Sequence, residues 1–514
     1  MAVARTRSVA LLGLTGSVVE VEADLSAQLP GFVIIGLPDA ALGEARERVR
    51  SAAVNAGCPL PQRKLTVNLS PAALPKHGSG FDLAIALACL AASGEVSIES
   101  IDRVVHLGEL GLDGRLRPID GILPAVLAAV RAGHDTVMVP EANAAEAGLV
   151  PGVEVIGVSS LLEAAIRHGG EYEQRVVDPV PIAPRTDLGE PATGGDLADV
   201  AGNDEAVEAL VAAAAGGHHL YLLGPPGAGK TMLASRLPGI LPDLEADAAL
   251  EVASIKSLSG RHLGSGLSHR PPFESPHHTA SAAAIVGGGS RLIRPGAAVR
   301  ASHGVLFLDE APEFPSTVLD VLRQPLESGT IDIHRASAVA SFPAKFQLVI
   351  AANPCPCGHH GVKESNCTCT PVMRRRYLAR ISGPLLDRID LQIWVPRITA
   401  AGLRVAAETP GLSSAEARVK VTEARAVAGE RLRGTPWRTN AEMPGPWLRG
   451  AGGLHPGGQA TRELDRSLER GSVTMRGYDR VLKTAWTLAD LAGAVSPRAE
   501  HVGRALFLRQ GIPV

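Results

Sequence analysis

The strongest constraint on the fold is a glycine-rich turn between an apolar strand and a helix. Residues 219–223 are predicted to form the strand, and the helix is predicted to begin near Lys230. The turn between them, GPPGAGKT, matches the phosphate-binding pattern G-x-x-x-x-G-K-[ST] in full. Its glycines let successive backbone N–H groups and the helix N-terminus face a phosphate chain. The sequence therefore predicts an α/β fold built around a nucleotide site.

The residues of this turn have distinct predicted roles. Lys230 is expected to reach the β and γ phosphate oxygens, and the Thr231 hydroxyl is expected to ligate Mg²⁺. The predicted cofactors are therefore ATP and Mg²⁺. The predicted nucleotide-binding residues are Gly224, Pro225, Pro226, Gly227, Ala228, Gly229, Lys230 and Thr231.

Two later strands end in polar side chains that suit ATP hydrolysis. Residues 304–308 form an apolar strand that delivers Asp309, predicted to hold the Mg²⁺ shell, and Glu310, predicted to orient or deprotonate the attacking water. Residues 346–352 form another strand, and Asn353 follows it where a γ-phosphate or its water could be sensed. This order of strands matches the P-loop ATPase core of AAA+ proteins.

Two arginines downstream are predicted to reach the nucleotide. Arg388 is the candidate arginine finger, supplied from an adjacent subunit to stabilise charge in the transition state; Arg380 and a plain surface ion pair are the alternatives. Arg476 suits a lid arginine, with Arg480 as its alternative. A finger supplied in trans requires a ring, so the chemistry predicts a homo-oligomer.

Four of the six cysteines crowd into fifteen positions after the Asn353 strand. They are Cys355, Cys357, Cys367 and Cys369. Four thiolates on two short arms can close a tetrahedral Zn²⁺ site, although C-x-C is tighter than the usual spacing and His359 or His360 could replace one sulfur. Structural zinc is favoured over a redox pair or free thiols. Cys58 and Cys89 lie in apolar context and are predicted to fill the core.

Two segments of the predicted core have no role fixed by their residues. His277 and His278 are adjacent in a loop, where histidines are usually solvated or bonded locally. Residues 324–337 predict a helix end followed by a β-hairpin, an insertion that in AAA+ ATPases points into a central pore.

Length and composition indicate several globular domains. The chain has 514 residues, of which 45% are apolar, which excludes disorder and suggests about three domains of roughly 150 residues. A Pro- and Gly-rich stretch is predicted to be a linker. The predicted division is an α+β domain at 1–170, the linker at 171–197, the ATPase core at 198–398 and a helical lid at 399–514. We expect no signal peptide or membrane span, and a reducing cytoplasm.

The net charge of −3 hides an uneven distribution. Residues 371–514 carry 23 Lys and Arg against 13 Asp and Glu, whereas residues 1–370 carry 27 against 40. The basic C-terminal part can meet DNA, ATP phosphates or an acidic neighbouring subunit, and composition does not choose among them. Aromatic residues are only 3% of the chain, so any DNA strand would be bound through backbone charge more than base stacking.

These motifs resemble those of the magnesium-chelatase-like AAA+ ATPases of the YifB/ComM family. The similar segments include GHHLYLLGPPGAGKT, PHHTASAAAIVGGG, GVLFLDEAPEF, LRQPLESG, AANPCPCG and RRYLARISGPLLDRIDL, and they span most of residues 196–398. The resemblance implies a chelatase-type C-terminal lid and a hexameric ATPase that acts on branched or single-stranded DNA, as a branch-migration helicase or translocase in recombination of transforming DNA. A chelatase-type motor subunit that drives metal insertion into a porphyrin, and an assembly ATPase without DNA, are the alternatives.

The N-terminal domain is similar to the S5-fold proteolytic domain of Lon. The similarity lies in GELGLDGRLRPIDGILPAVLAAVRAG and PKHGSGFDLAIALA. A Ser–Lys protease needs its serine activated by a nearby lysine. The matching positions hold Gly80 and Leu123, and Ser79 and Lys76 lie off those positions. The resemblance therefore implies a proteolytically inactive domain that is reused for assembly or substrate contact.

Overall fold

The computed structural model describes residues 3–36, 40–72, 74, 76, 79–182, 195–261, 263, 266–289, 293–334, 339–361, 367–408, 411–450 and 452–510. These residues form two large sheets, one on each side of the predicted linker, followed by a group of C-terminal helices. Residues 171–182 of that linker adopt neither helix nor strand.

The N-terminal sheet is mixed, because two of its strand pairs near the N-terminus are antiparallel and all its other pairs are parallel. From edge to edge its strands are Gly31–Ile35, Lys64–Ser70, Thr15–Ser26, Ala4–Leu12, Val105–His106, Thr136–Pro140 and Glu154–Val158. Two short strands, Glu109–Leu110 and Leu116–Arg117, form a separate hairpin. The helices around these strands are Ala40–Ala56, Asp82–Ala92, Ile98–Asp102, Ile122–Arg131, Glu141–Ala147 and Leu161–Arg167.

Alternating and continuous patterns of apolar residues explain how these strands and helices pack. Every second residue of Lys64–Ser70 is buried, as expected for a strand covered on one face, whereas Asp82–Ala92 is buried along nearly its whole length. Cys58 and Cys89 are fully buried, which confirms their predicted place in the core. Burial raises the pKa of the Cys58 thiol to about 11 and that of the Cys89 thiol to about 12.

The second sheet is fully parallel, and the P-loop follows the strand next to one edge. Its strand order is Phe273–Glu274, Val305–Leu308, Gln347–Ala352, Leu220–Leu223 and Leu391–Trp394. Three of these strands are buried at every residue, because helices cover both faces of a parallel sheet. The α/β prediction is confirmed.

Short helices and hairpins complete this core. The helices and 3₁₀ turns are Leu197–Asp199, Asp204–Gly216, Lys230–Ile240, Ala246–Leu258, Ala282–Val286, Ala297–Arg300, Ala311–Glu313, Ser316–Asp320, Val321–Arg323, Pro325–Ser328, Pro371–Leu378 and Gly383–Leu386. Gly287–Gly288 pairs with Arg294–Pro295. Thr330–His334 pairs with Val339–Pro343, which confirms the predicted hairpin; its tip lies outside the described residues.

The C-terminal helices share one hydrophobic core with the P-loop strand. Their bounds are Ala400–Glu408, Ser414–Arg431, Asn440–Glu442 (3₁₀), Gly445–Arg449, Gly458–Glu469, Met475–Leu491 and Ala499–Gln510. Val481 and Leu482, on the helix Met475–Leu491, belong to the same buried cluster as Leu220 and Leu222. The predicted helical lid therefore packs directly on the sheet that carries the P-loop.

A buried charge cluster joins the lid to this sheet. Asp390 is 1% exposed and accepts hydrogen bonds from Arg480 Nη1 at 2.6 Å and from the His219 backbone N–H at 2.9 Å. Arg480 Nε also donates to the Asp387 carbonyl at 2.8 Å. Burial alone would raise the pKa of Asp390, but Arg480 and nearby basic groups hold it far below its ordinary value. Arg480 thus links the lid to the core through buried hydrogen bonds, whereas the Arg476 side chain is 67% exposed.

A pair of helices forms part of the contact between the N-terminal unit and the predicted ATPase core, and the strand Ala4–Leu12 also approaches the strand Val339–Pro343. The helix Ile122–Arg131 lies against Ala246–Leu258. At their contact the Gly121 backbone N–H donates to the Ser257 carbonyl at 3.1 Å, and the Leu123 N–H donates to the Ser257 hydroxyl at 3.3 Å.

An Arg480→Ala substitution is expected to destabilise the lid–core contact by about 3–5 kcal/mol, because it leaves the buried Asp390 carboxylate without its main partner. The matched control, Arg476→Ala on the exposed side of the same helix, is expected to cost about 0–1 kcal/mol. Chemical unfolding followed by tryptophan fluorescence measures both, since Trp486 lies on this helix. Equal stability of the two variants would contradict the assignment of Arg480 as the buried link between lid and core.

Candidate nucleotide-binding site

The P-loop has backbone geometry that only glycine accommodates easily. Gly227 and Gly229 have φ angles of +75° and +90°, in the left-handed region where other residues are strained. A Cβ atom on Gly224 would lie 2.2 Å from the Val395 carbonyl oxygen. The predicted helix begins at Lys230, directly after the loop.

Lys230 lies within the P-loop and contacts the predicted sensor residue. Its ammonium donates to the carbonyls of Gly224 at 2.7 Å and Pro225 at 3.0 Å, and to Asn353 Oδ1 at 3.1 Å. Burial lowers the pKa of Lys230, and the carboxylates of Asp309 and Glu310 partly offset this effect. The structure thus brings together the lysine of the P-loop and an asparagine that follows a different strand, as the predicted site requires.

Thr231 and Asp309 form the oxygen-rich side of the site. The Thr231 hydroxyl donates to Asp309 Oδ2 at 2.6 Å, and the Glu310 backbone N–H donates to Asp309 Oδ1 at 2.8 Å. Hydroxyl and carboxylate oxygens are the ligand types that Mg²⁺ prefers. This pair of residues therefore fits the Mg²⁺ ion that the P-loop implies.

Glu310 follows the acidic strand in a strained backbone conformation. Its φ angle is +52°, which is uncommon for a residue with a side chain and recurs at functional sites. Its side chain is 51% exposed, and its Oε2 lies 3.5 Å from Nδ1 of His278. Sequence analysis assigns no role to His278, and this proximity comes from the pairing of the edge strand Phe273–Glu274 with its neighbour Val305–Leu308.

Two of the predicted arginines, Arg380 and Arg388, lie in the core segment 380–390. Arg388 is 8% exposed; its Nη1 donates to the Pro384 carbonyl at 2.6 Å, and its Nη2 pairs with Glu327. Arg380 is more open, with a 54% exposed side chain whose Nη1 donates to the Pro312 carbonyl at 3.0 Å. Action of Arg388 on a neighbouring subunit requires release from Glu327, and its role as a finger stays a prediction.

The four clustered cysteines converge with the spacing of a tetrahedral metal site. The Sγ–Sγ distances are 3.3 Å for Cys355–Cys357, 3.8 Å for Cys355–Cys367 and 3.6 Å for Cys357–Cys367, and Cys369 Sγ completes a group within 4.8 Å. Four sulfurs at about 2.3 Å from a zinc ion stand about 3.8 Å apart. A disulfide would need a separation of about 2.05 Å.

The cysteine loop also touches the P-loop. A Cβ atom on Gly358, which has a φ of +78°, would lie 2.5 Å from Pro226 Cγ. The His360 ring is turned to Arg374, whose Nη1 lies 2.5 Å from Nδ1, so this histidine is engaged outside the sulfur group. A metal on the four sulfurs would therefore brace the wall of the nucleotide site.

The Lon-like unit brings no lysine to its candidate serine within the described residues. The Lys76 ammonium donates to the carbonyls of Pro71 at 2.7 Å and Leu74 at 3.1 Å, and the Ser79 hydroxyl donates to Glu109. Leu123, at the position of the Lon lysine, is fully buried.

Three family models match the chain. The model described as magnesium chelatase, subunit ChlI, covers residues 196–403; subunit ChlI of Mg-chelatase covers 21–143, and its C-terminal model covers 411–509.

Within the described residues, the structure has no helix of the length and hydropathy that a membrane crossing needs.

Several full-length relatives are similar to the chain. An uncharacterized protein of Mycobacterium tuberculosis (strain H37Rv) is 48% identical over 513 residues, 99% of each chain. The competence protein ComM of Haemophilus influenzae is 40% identical over 509 residues, 99% of this chain and 98% of ComM. The uncharacterized protein YifB of Escherichia coli K12 is 40% identical over 500 residues, 97% and 96% of the two chains.

A shorter similarity involves Lon. The Lon protease of Rhizobium meliloti is 32% identical over 130 residues, which are 24% of this chain and 16% of Lon. A Lon-like similarity accompanies the chelatase-family matches, as the sequence motifs predict.

Proposed function

The chain belongs to the magnesium chelatase ChlI family of AAA+ proteins, in the branch that includes YifB and ComM, and from this premise we propose that it is a Mg²⁺-dependent ATP hydrolase that forms a hexameric ring and moves branched DNA. The observation that carries the hydrolase part is the meeting of Lys230 with Asn353 and of Thr231 with Asp309. Family membership implies ATP and Mg²⁺ at this site.

Each side chain of the site has a task in ATP cleavage. Lys230 moves from the P-loop carbonyls to the β and γ phosphate oxygens when ATP is bound. A Mg²⁺ ion held by Thr231 and Asp309 would neutralise charge on the phosphates. Glu310 orients the attacking water and accepts its proton, and Asn353 holds the γ-phosphate side of the site.

The ring follows from the arginine finger. Arg388 is bonded within its own chain to Glu327 and to the Pro384 carbonyl. Release from Glu327 would let it present its guanidinium to the ATP of an adjacent subunit. Such a finger stabilises the charge of the transition state by about 10³–10⁵ in rate. Arg476 is exposed on the lid, 3.5 Å from Asp387, and we propose that it reaches the nucleotide of its own subunit.

Mixing two inactive variants tests the finger. Arg388→Ala and Glu310→Gln are each expected to lose ATP turnover by at least about 10³-fold. Mixed rings contain interfaces with an intact Glu310 on one side and an intact Arg388 on the other, so steady-state turnover should reappear. A mixture as inactive as its components would contradict a finger in trans. If Arg388→Ala retains its turnover, the same mixing experiment is done with Arg380→Ala and Glu310→Gln. Recovery of turnover in that mixture would assign the finger to Arg380.

DNA is the proposed substrate of the motor. The chain is 40% identical to the competence protein ComM over nearly its full length, and residues 371–514 are strongly basic. Arg375 and Arg376 are exposed on the helix Pro371–Leu378, where they add to this basic surface. Because its proposed partner is DNA, we propose that the protein acts in the cytoplasm.

Four-way junction DNA is expected to raise ATP turnover several-fold at low salt. The increase should fall steeply between 50 and 200 mM salt, because contacts to backbone phosphates release counterions. A coupled ATPase assay with junction, duplex and no DNA measures this effect, with Lys230→Ala as the background. Basal turnover that DNA leaves unchanged at 50 mM salt would contradict a DNA-driven motor while preserving the hydrolase.

We propose that the four clustered cysteines hold a structural Zn²⁺ ion. Their sulfurs have the spacing of a tetrahedral site, and the loop that carries them follows Asn353 and touches Pro226. Because four protein ligands fill the coordination shell, such an ion would brace the site rather than take part in ATP cleavage.

Purified protein is expected to contain about one zinc per chain by elemental analysis. Cys367→Ser should lower this content strongly, since three sulfurs hold the ion less tightly, and should lower the melting temperature. The buried core variant Cys58→Ala is the matched control and should retain the zinc. A metal-free protein with four titratable thiols in the cluster would contradict the site.

The N-terminal region is proposed to be a non-proteolytic scaffold. Ser79 is bonded to Glu109 and the Lys76 ammonium to backbone carbonyls, and the helix Ile122–Arg131 packs on the ATPase core. The division at 1–170, 171–197, 198–398 and 399–514 is part of this proposal.

A further inference from the structure

We infer that His278 is a positioning residue that holds the water-activating carboxylate of Glu310. This inference rests on the proposed function, because it assigns a partner to the carboxylate that the hydrolase requires. The histidine lies outside the P-loop, the acidic strand and the sensor strand, and the motifs of the nucleotide site leave it without a task.

Strand register explains why these two residues meet. The strand Phe273–Glu274 runs parallel to Val305–Leu308, with Glu274 opposite Leu306. Four residues beyond that pair are His278 on one chain segment and Glu310 on the other. Because parallel strands end at the same edge of a sheet, both side chains emerge beside the nucleotide site, with Nδ1 of His278 3.5 Å from Oε2 of Glu310.

The segment that carries His278 is firmly anchored. Glu274 is only 12% exposed, and its carboxylate accepts hydrogen bonds from Arg261 at 2.7 Å and from Arg300 at 2.8 Å. The His278 ring then packs edge-on against Phe314, with a centroid distance of 6.5 Å and an interplanar angle of 78°. Strand anchoring and ring packing together restrict the imidazole, as a positioning group requires.

Glu310 has the properties of a group that needs such a partner. Its backbone is held in the left-handed region, its N–H is fixed by Asp309, and its side chain is about half exposed. A half-exposed carboxylate samples several rotamers, and catalysis needs one of them. The 3.5 Å separation is long for a hydrogen bond, and contacts of this kind commonly tighten when substrate is bound.

Three substitutions separate positioning from simple structural support. His278→Ala removes the contact and is expected to lower kcat for ATP about 10-fold while leaving KM and the binding of a fluorescent ATP analogue within about twofold. His278→Asn retains a side-chain N–H donor and is expected to recover most of the lost kcat. His269→Ala, which removes an exposed imidazole whose Nδ1 pairs with the Leu244 carbonyl at 2.8 Å, is the matched control and should stay within about twofold of the unaltered protein.

A double variant gives the decisive readout. If His278 acts through Glu310, adding His278→Ala to Glu310→Gln should cause no further loss of turnover, whereas independent effects would multiply. An unchanged kcat in His278→Ala, a loss confined to nucleotide binding, a failure of His278→Asn to recover activity, or multiplied losses in the double variant would each overturn the inference. With the unaltered protein and His269→Ala active, these results leave the hydrolase proposal intact; an inactive unaltered protein would overturn both.

Discussion

The contact between the Lys230 ammonium and the Asn353 side chain depends on strands that run in one direction and end at one edge of a sheet. Antiparallel neighbours would send their polar ends to opposite edges, and the lysine, the acidic pair and the asparagine would be separated by the length of a strand. The buried apolar strands Leu220–Leu223, Val305–Leu308 and Gln347–Ala352 fix this edge. The parallel pairing of these buried strands therefore sets the distances between the polar side chains of the nucleotide site.

The segment 380–390 connects three parts of the molecule over a few residues. Arg388 is the proposed finger for a neighbouring subunit, Asp387 pairs with Arg476 of the lid, and Asp390 holds Arg480 in a buried cluster. A movement of the lid would therefore be transmitted through these ion pairs to the chain that presents Arg388.

Local patterns predicted the local parts of the structure well. The helix was expected near Lys230 and begins there, a hairpin follows residue 329 as predicted, and two C-x-C arms converge as their spacing suggested. The contact of His278 with Glu310 could not be predicted, because it depends on the register between strands distant in sequence. The pairing of Arg388 with Glu327 likewise joins segments whose approach depends on the whole core.

Branch migration of a labelled four-way junction tests the central claim most directly. A nucleotide site held in this geometry and coupled around a ring should convert the junction into two duplex products only when ATP is hydrolysed. The expected result is product formation with ATP and Mg²⁺, and none with a non-hydrolysable analogue or with the Glu310→Gln protein. Active ATP turnover without any movement of the junction would contradict the account.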